Sequence, residues 1–418
     1  MQWSFYEPGH SHDKELIMKT LRILVGVLLT LSIVNSISAQ EVRAAMCYDI
    51  GALIDPNDPN AYEGVDLAVD PNGIVSYLVN GPNGASVVVL NPFVDSNDPN
   101  DPFIDVNDPN GPLLNIIHLA GGGTAYGISP NGLWVCGATA PADGIGLLWD
   151  INDPNSPVEL LLGPSALPDA GTAAFGVSND GIATGNSGFL AATWTADGNV
   201  TELPLLNGSF ASGTGTAGAG DISADGSVVV GSGSTPGWTA QAATVWYEGN
   251  PIEMDHGAIF YSGAYGVSPD ANYITGLMDN FVTSYLALWD GSGNLIACVD
   301  QFDDDLNSPF SGGGWDVSNT GVVVGSEGTD SDAVIFKPEW YGVKSLQTYA
   351  LLEYGLDIGT SFSAEGVVSD PNLGFDFIAS FGSAHLLILE DDIPDPEPEP
   401  DPNTEPTDPN DLSVLWKE

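Results

Sequence analysis

An all-β ring of repeated four-stranded units is the architecture this sequence predicts, on three observations. Glycine (51 residues) and proline (30) make up about a fifth of the 418-residue chain, which favours short strands and many turns over helical bundles. A phrase of the form Gly-Ile/Val-Ser-x-x-Gly followed by Val-Val-Gly recurs along the chain. A second apolar element ending in Trp or Phe sits midway through most of the repeats. Four short strands per period of 45–50 residues is the pattern of a propeller blade, so the expected fold is a seven-bladed β-propeller of four-stranded antiparallel blades.

The recurring phrase is clearest in Tyr126-Gly127-Ile128-Ser129-Pro130-Asn131-Gly132, Phe175-Gly176-Val177-Ser178-Asn179-Asp180-Gly181 and Gly220-Asp221-Ile222-Ser223-Ala224-Asp225-Gly226. Further copies begin at Tyr265 and Trp315, and degenerate ones contain Asp70-Pro71-Asn72-Gly73 and Asp370-Pro371-Asn372. Taking 73, 132, 181, 226, 271, 321 and 372 as the turn column gives spacings of 59, 49, 45, 45, 50 and 51. These turns join the first strand of each blade to the second, with Gly supplying positive φ and Asn or Asp bonding its own backbone. The valines beyond them suit a strand buried on both faces. Trp149, Trp194, Trp246, Trp289 and Phe336 offer apolar plates for blade-to-blade packing. The last repeat ends after its third strand, at 384–389, and residues 47–54 form a spare strand before the first repeat. Pairing the two closes the ring and removes two exposed edges.

Outside the ring the chain is differently built. Met18-Lys19-Thr20-Leu21-Arg22, the apolar run 23–31 and the small residues Ser36, Ser38 and Ala39 have the layout of a secretory signal with an extended n-region over 1–39. The propeller is expected over 46–390 and an acidic, proline-rich tail over 391–418. Asp-Pro-Asn occurs nine times, and its longest tract, 95–111, widens the first repeat. Cys47, Cys136 and Cys298 are widely spaced and read as buried thiols.

Seven Lys+Arg against 56 Asp+Glu give a net charge of -49, which excludes nucleic-acid binding and disfavours anionic membranes. The same charge allows weakly bound Ca²⁺, with Asp303 and Asp305 in the densest acidic cluster as the candidate ligands; no other cofactor is expected. No phosphate loop, dinucleotide fingerprint, His-Glu-x-x-His or nucleophile elbow occurs. The serine of the repeated phrase recurs in most repeats, whereas a nucleophile is needed once, so it reads as structural.

The repeat order, together with the segment 346–356, resembles the bacterial extracellular HAF-repeat proteins. The resemblance spans roughly 62–389 and lacks the His-Ala-Phe tripeptide, with Ala-Thr-Trp and Ala-Leu-Trp in its place. It implies a secreted, propeller-like protein and carries no catalytic residues. Two functional classes follow from the sequence: a secreted binding or scaffold propeller for a protein, glycan or surface, and a secreted carbohydrate-active enzyme using carboxylates at the channel mouth. Loops joining strands two and three, and those linking blades, share the face with the longer aromatic loops. Trp238, His256, Phe260, Tyr261 and Phe310 are therefore the expected binding residues.

Overall fold

The computed structural model describes residues 45–93, 113–139, 144–167, 170–206, 217–234, 241–257, 261–303, 309–328, 332–359, 363–381 and 384–391. The signal-like segment, the 95–111 tract and the tail beyond Asp391 lie outside them. Seven four-stranded antiparallel sheets form the ring. Blades 1 to 6 are contiguous in sequence, spanning 63–118, 124–159, 172–202, 217–253, 261–299 and 312–345. Blade 7 takes three strands from 363–390 and its fourth from the N-terminal side.

That fourth strand is Ala45–Asp49, antiparallel to His385–Glu390 in the register Ala45↔Leu389, Cys47↔Leu387, Asp49↔His385. The expected closure is present, but the strand is shorter than 47–54. Asp49 ends it by capping a one-turn helix, Ile50–Ile54, its carboxylate accepting from the Ala52 amide at 2.8 Å. Gly51 lets this helix press against the Pro59 carbonyl, where a Cβ would collide. Tyr48 and Ile50 are buried in the core between blades 7 and 1.

The repeated phrase does three jobs. Its serine is buried in every clear copy, and the hydroxyl closes the turn: Ser129 Oγ accepts from the Trp134 amide at 3.0 Å and donates to Asn131 at 2.7 Å. Ser223 and Ser268 repeat this with Asp225 and Asp270. Its glycine sits in the left-handed region, with φ between 69° and 83° at Gly132, Gly181, Gly226 and Gly321. In blade 7 the left-handed residue is Gly374, φ 74°, and not Asn372, because the Asp370 carbonyl accepts from the amides of both Leu373 and Gly374, one residue further on than Gly73 lies from Asp70. Its polar tips link successive blades: Asn131 N–H donates to Asn179 Oδ1, Asn179 N–H to Ala224 O, and Ala224 N–H to Pro269 O.

The third-strand tryptophans are fully buried, as expected of packing plates, and each also staples its blade to the one before. The indole N–H of Trp149 donates to Ala120 O, Trp194 to Leu161 O, Trp246 to Pro204 O and Trp289 to Asp255 O, at 2.6–2.9 Å. Between blades 6 and 7, Lys337 lies 2.7 Å from Asp391 and 3.1 Å from Asp376. Burial lowers its pKa, but the two carboxylates more than offset this and hold the ammonium charged. The link between these blades carries a helix, Leu346–Tyr354, capped by Ser345 and by left-handed Gly355. The three cysteines are free. Cys136 is buried, but Cys298 is exposed, since it points outward from the outer strand of blade 5.

Two outcomes follow from this geometry. Ala271 occupies the turn-glycine column with φ 60°, a conformation costing an alanine about 1 kcal/mol. Ala271→Gly should therefore raise the midpoint of denaturant unfolding without changing its slope. Deleting 45–49 exposes the edge of His385–Glu390, so the truncated protein should melt well below the full chain and aggregate; an unchanged melting temperature would count against the closure.

Candidate functional site

All seven inner strands carry a β-bulge at one equivalent residue, where one strand has an extra residue against its partner. A bulge re-aims a side chain. Here the seven extra residues are Val65, Tyr126, Phe175, Gly220, Tyr265, Trp315 and Glu365, and all of them line one cavity of about 1010 Å³ on the ring axis. The cavity reaches from the first-to-second-strand turns, at Pro130, Pro269 and Pro371, to Glu63, Asn80 and Asn186 towards the opposite face. The aromatics form two pairs on adjacent blades. Tyr126 and Phe175 have ring centroids 5.4 Å apart and a tilt of 44°, and Tyr265 and Trp315 are 5.1 Å apart with a tilt of 43°.

The residue after each bulge is Asp66, Gly127, Gly176, Asp221, Gly266, Asp316 and Gly366 in ring order. Each aspartate bonds in the same way. One oxygen accepts the next amide of its own strand, from Leu67, Ile222 or Val317, at 2.7–2.8 Å. The other accepts an amide of the following blade, from Ile128, Val267 or Val367, at 2.7–2.9 Å. Each aspartate has glycine on both sides in the ring. A Cβ on Gly176 would lie 2.5 Å from Asp221 Oδ1, and one on Gly366 2.8 Å from Asp66 Oδ1.

These three carboxylates are set into the channel wall, and their affinity for protons rises accordingly. Burial, offset in part by the backbone amides, pushes Asp66 up to about 7 and Asp221 up to about 6. Asp316 is raised by burial and by the fields of Asp66 and Asp221. Glu365 adds to the repulsion at Asp66. No Lys, Arg or His is among the described residues lining the cavity. Asn186 Oδ1, on the same lining, is buried and has no hydrogen-bond partner among the described residues.

The residues singled out from sequence fall elsewhere. Tyr261 lies on the inner strand of blade 5 beside Tyr265, at the edge of this site. His256 Nε2 is 2.9 Å from Glu253 Oε1 on the outer side of blade 4. Phe310 is fully buried, edge-to-face with Phe302 at 5.9 Å, and so serves the core and not a binding surface. Trp238, Phe260 and Asp305 lie outside the described residues. Asp303 accepts the Tyr341 amide and lies 3.7 Å from Lys344, and among the described residues no group of three His, Cys, Asp or Glu could hold a metal ion. Exposed apolar residues lie on both faces: Phe189 at 58% and Phe281 at 79% exposure sit at the second-to-third-strand tips of blades 3 and 5. Tyr341 is similarly exposed on a third-to-fourth-strand loop.

The bulge column is visible in sequence as the aromatic opening four copies of the phrase, at 126, 175, 265 and 315. Nothing in the sequence marks it as the residue that leaves the ladder.

Neither a scan of protein-family models nor a search of curated proteins gave a match. Among solved structures, the chain is similar to virginiamycin B lyase from Staphylococcus aureus. A catalytically inactive form of that lyase with quinupristin is matched at 14% identity over 79% of this chain and 96% of that one, with a TM-score of 0.48. A selenomethionine form gives 14%, 83%, 99% and 0.47. The β-propeller domain of Swd1 from Myceliophteria thermophila is similar at 10% identity over 78% and 96%, with a TM-score of 0.43.

The raised carboxyls set a pH dependence. In the folded state Asp66 and Asp221 hold protons that the unfolded chain releases at the ordinary carboxylate value. Their contribution to stability is therefore fully present below about pH 4 and is lost as pH rises through 6 to 7. Asp225, bonded by the Ser227 amide, and Asp290, bonded by the Asn294 side chain, are shifted the other way and lose stability on acidification below the ordinary value. The melting temperature should thus peak between about pH 4 and 5 and fall towards pH 8. Asp221→Asn should flatten the decline between about pH 5 and 7, read by calorimetry across the pH series.

Proposed function

We propose that the chain is an exported, non-catalytic binding propeller whose ligand enters the axial channel from the face bearing the blade links and the second-to-third-strand loops. Export rests on the basic, apolar and small-residue succession over 18–39. Binding rests above all on the ring of bulges, which devotes one residue per blade to presenting side chains to a shared cavity. Four partly buried aromatics, paired on adjacent blades, are among those side chains. Exposed Phe189 and Phe281 favour the loop-bearing face as the approach side.

The reading against catalysis is chemical. The hydroxyls of the repeated serines are engaged in turns, and the channel aspartates have both oxygens engaged by backbone amides. Among the described residues, the cavity lining supplies no histidine, lysine or cysteine to act as base or nucleophile.

Purified protein on an array of neutral, anionic and cationic oligosaccharides tests both halves. Retention of one class without product release is expected. Tyr265→Ala with Trp315→Ala should cut that retention at least tenfold while the melting temperature stays within a few degrees. Product release would defeat the non-catalytic reading, and retention untouched by the two changes would defeat the channel.

A further inference from the structure

Resting on that channel reading, we propose a ligand class: the cavity takes a small organic cation, an alkylammonium group held against the two aromatic pairs and neutralised by the carboxylates around them. Among the described residues, six acidic side chains line the cavity (Glu63, Asp66, Asp221, Asp316, Glu365 and Asp370), and no basic one does. Once the aspartates have released their protons they repel an anionic ligand and attract a cationic one.

The way the carboxylates are held separates an organic cation from a metal ion. A hard metal needs several oxygen atoms free to converge on it. Asp66, Asp221 and Asp316 have both oxygens turned to backbone amides, and among the described residues no metal-holding group of three exists. What remains is a diffuse negative potential inside a low-dielectric wall. Tyr126, Phe175, Tyr265 and Trp315 add ring faces, which attract a poorly hydrated cation within about 6 Å of the centroid. An alkylammonium group is attracted by both and requires no short coordination bonds. The gaps in the bulge ring at Gly220 and Val65 leave room beside the aromatic pairs.

Choline and its uncharged isostere 3,3-dimethylbutan-1-ol differ in charge and hardly in shape, so titration calorimetry of the full chain with each isolates the cation. Choline should bind at least tenfold more tightly than the alcohol, and added NaCl should weaken it. Trp315→Ala should lower choline affinity about tenfold, and Glu365→Gln severalfold, with melting temperatures near that of the parent chain. Equal binding of the two probes, or no binding of choline at 10 mM (on the order of the weakest affinity one aromatic cage gives), would overturn the proposal. If a neutral oligosaccharide binds instead and loses affinity in Trp315→Ala, the channel stands and the cation does not. If an array ligand is retained equally by Trp315→Ala, the channel reading itself has failed.

Discussion

Seven inner strands converging on one axis leave almost no space between neighbouring backbones, and the rest of the molecule answers to that crowding. At the tightest level each blade places either a glycine or an aspartate, and no two aspartates are adjacent. Where glycine stands, the missing Cβ lets the next blade's backbone approach. Where aspartate stands, its carboxylate occupies the room its glycine neighbours vacate and bonds amides of two blades at once. One residue earlier the strand can no longer stay in register, and it bulges. The channel ring of aromatics and Glu365 is thus a consequence of how the blades fit together, with its side-chain identities left free to vary.

A chain at -49 must also hold its blades together against its own charge. It does so largely with contacts that need no cations. Neutral N–H donors carry the inter-blade joints: indoles on the third strands, amides on the inner strands, turn tips at the edge. Many acidic side chains act as local turn acceptors, as at Asp70, Asp225 and Asp290, where they face solvent and bond their own loops. Lys337 provides a buried positive charge where blades 6 and 7 meet. That junction adjoins the closure blade and has no third-strand tryptophan to staple it. A staple there would come from the third strand of blade 7, and His385–Glu390 contains no tryptophan.

The blade count, the strand order, the turn chemistry and the closure are all legible in sequence, because each depends on local composition repeated at a fixed period. Ser129 and its equivalents are recognisable as structural for the same reason. What the sequence conceals is geometry that only the ring creates. Phe310 looks like any other loop aromatic until blades 5 and 6 bury it against Phe302. Residues 50–54 alternate plausibly for a strand, yet Asp49 caps them into a helix. The restriction to Asp or Gly after the bulge stands in plain view at 66, 127, 176, 221, 266, 316 and 366. Its meaning lies between blades, and no period along the chain encodes a neighbour across a sheet gap.

The same distinction bears on where function resides. Loops on the face of the ring can change length and chemistry with little effect on the blades, since few of their atoms are shared with the sheets. The channel residues have no such freedom in position: their backbone is fixed by seven bulges and three aspartate staples. Their side chains, however, line an open volume, so aromatic, glycine, valine and glutamate are all accommodated at one structural column. A site with fixed geometry and variable chemistry is preorganised, and a ligand placed there loses less to ordering the protein than one gripped by loops. The proposed cation follows from the same wall: it is biased towards holding protons, and a cation on the axis would relieve that bias at all three aspartates together.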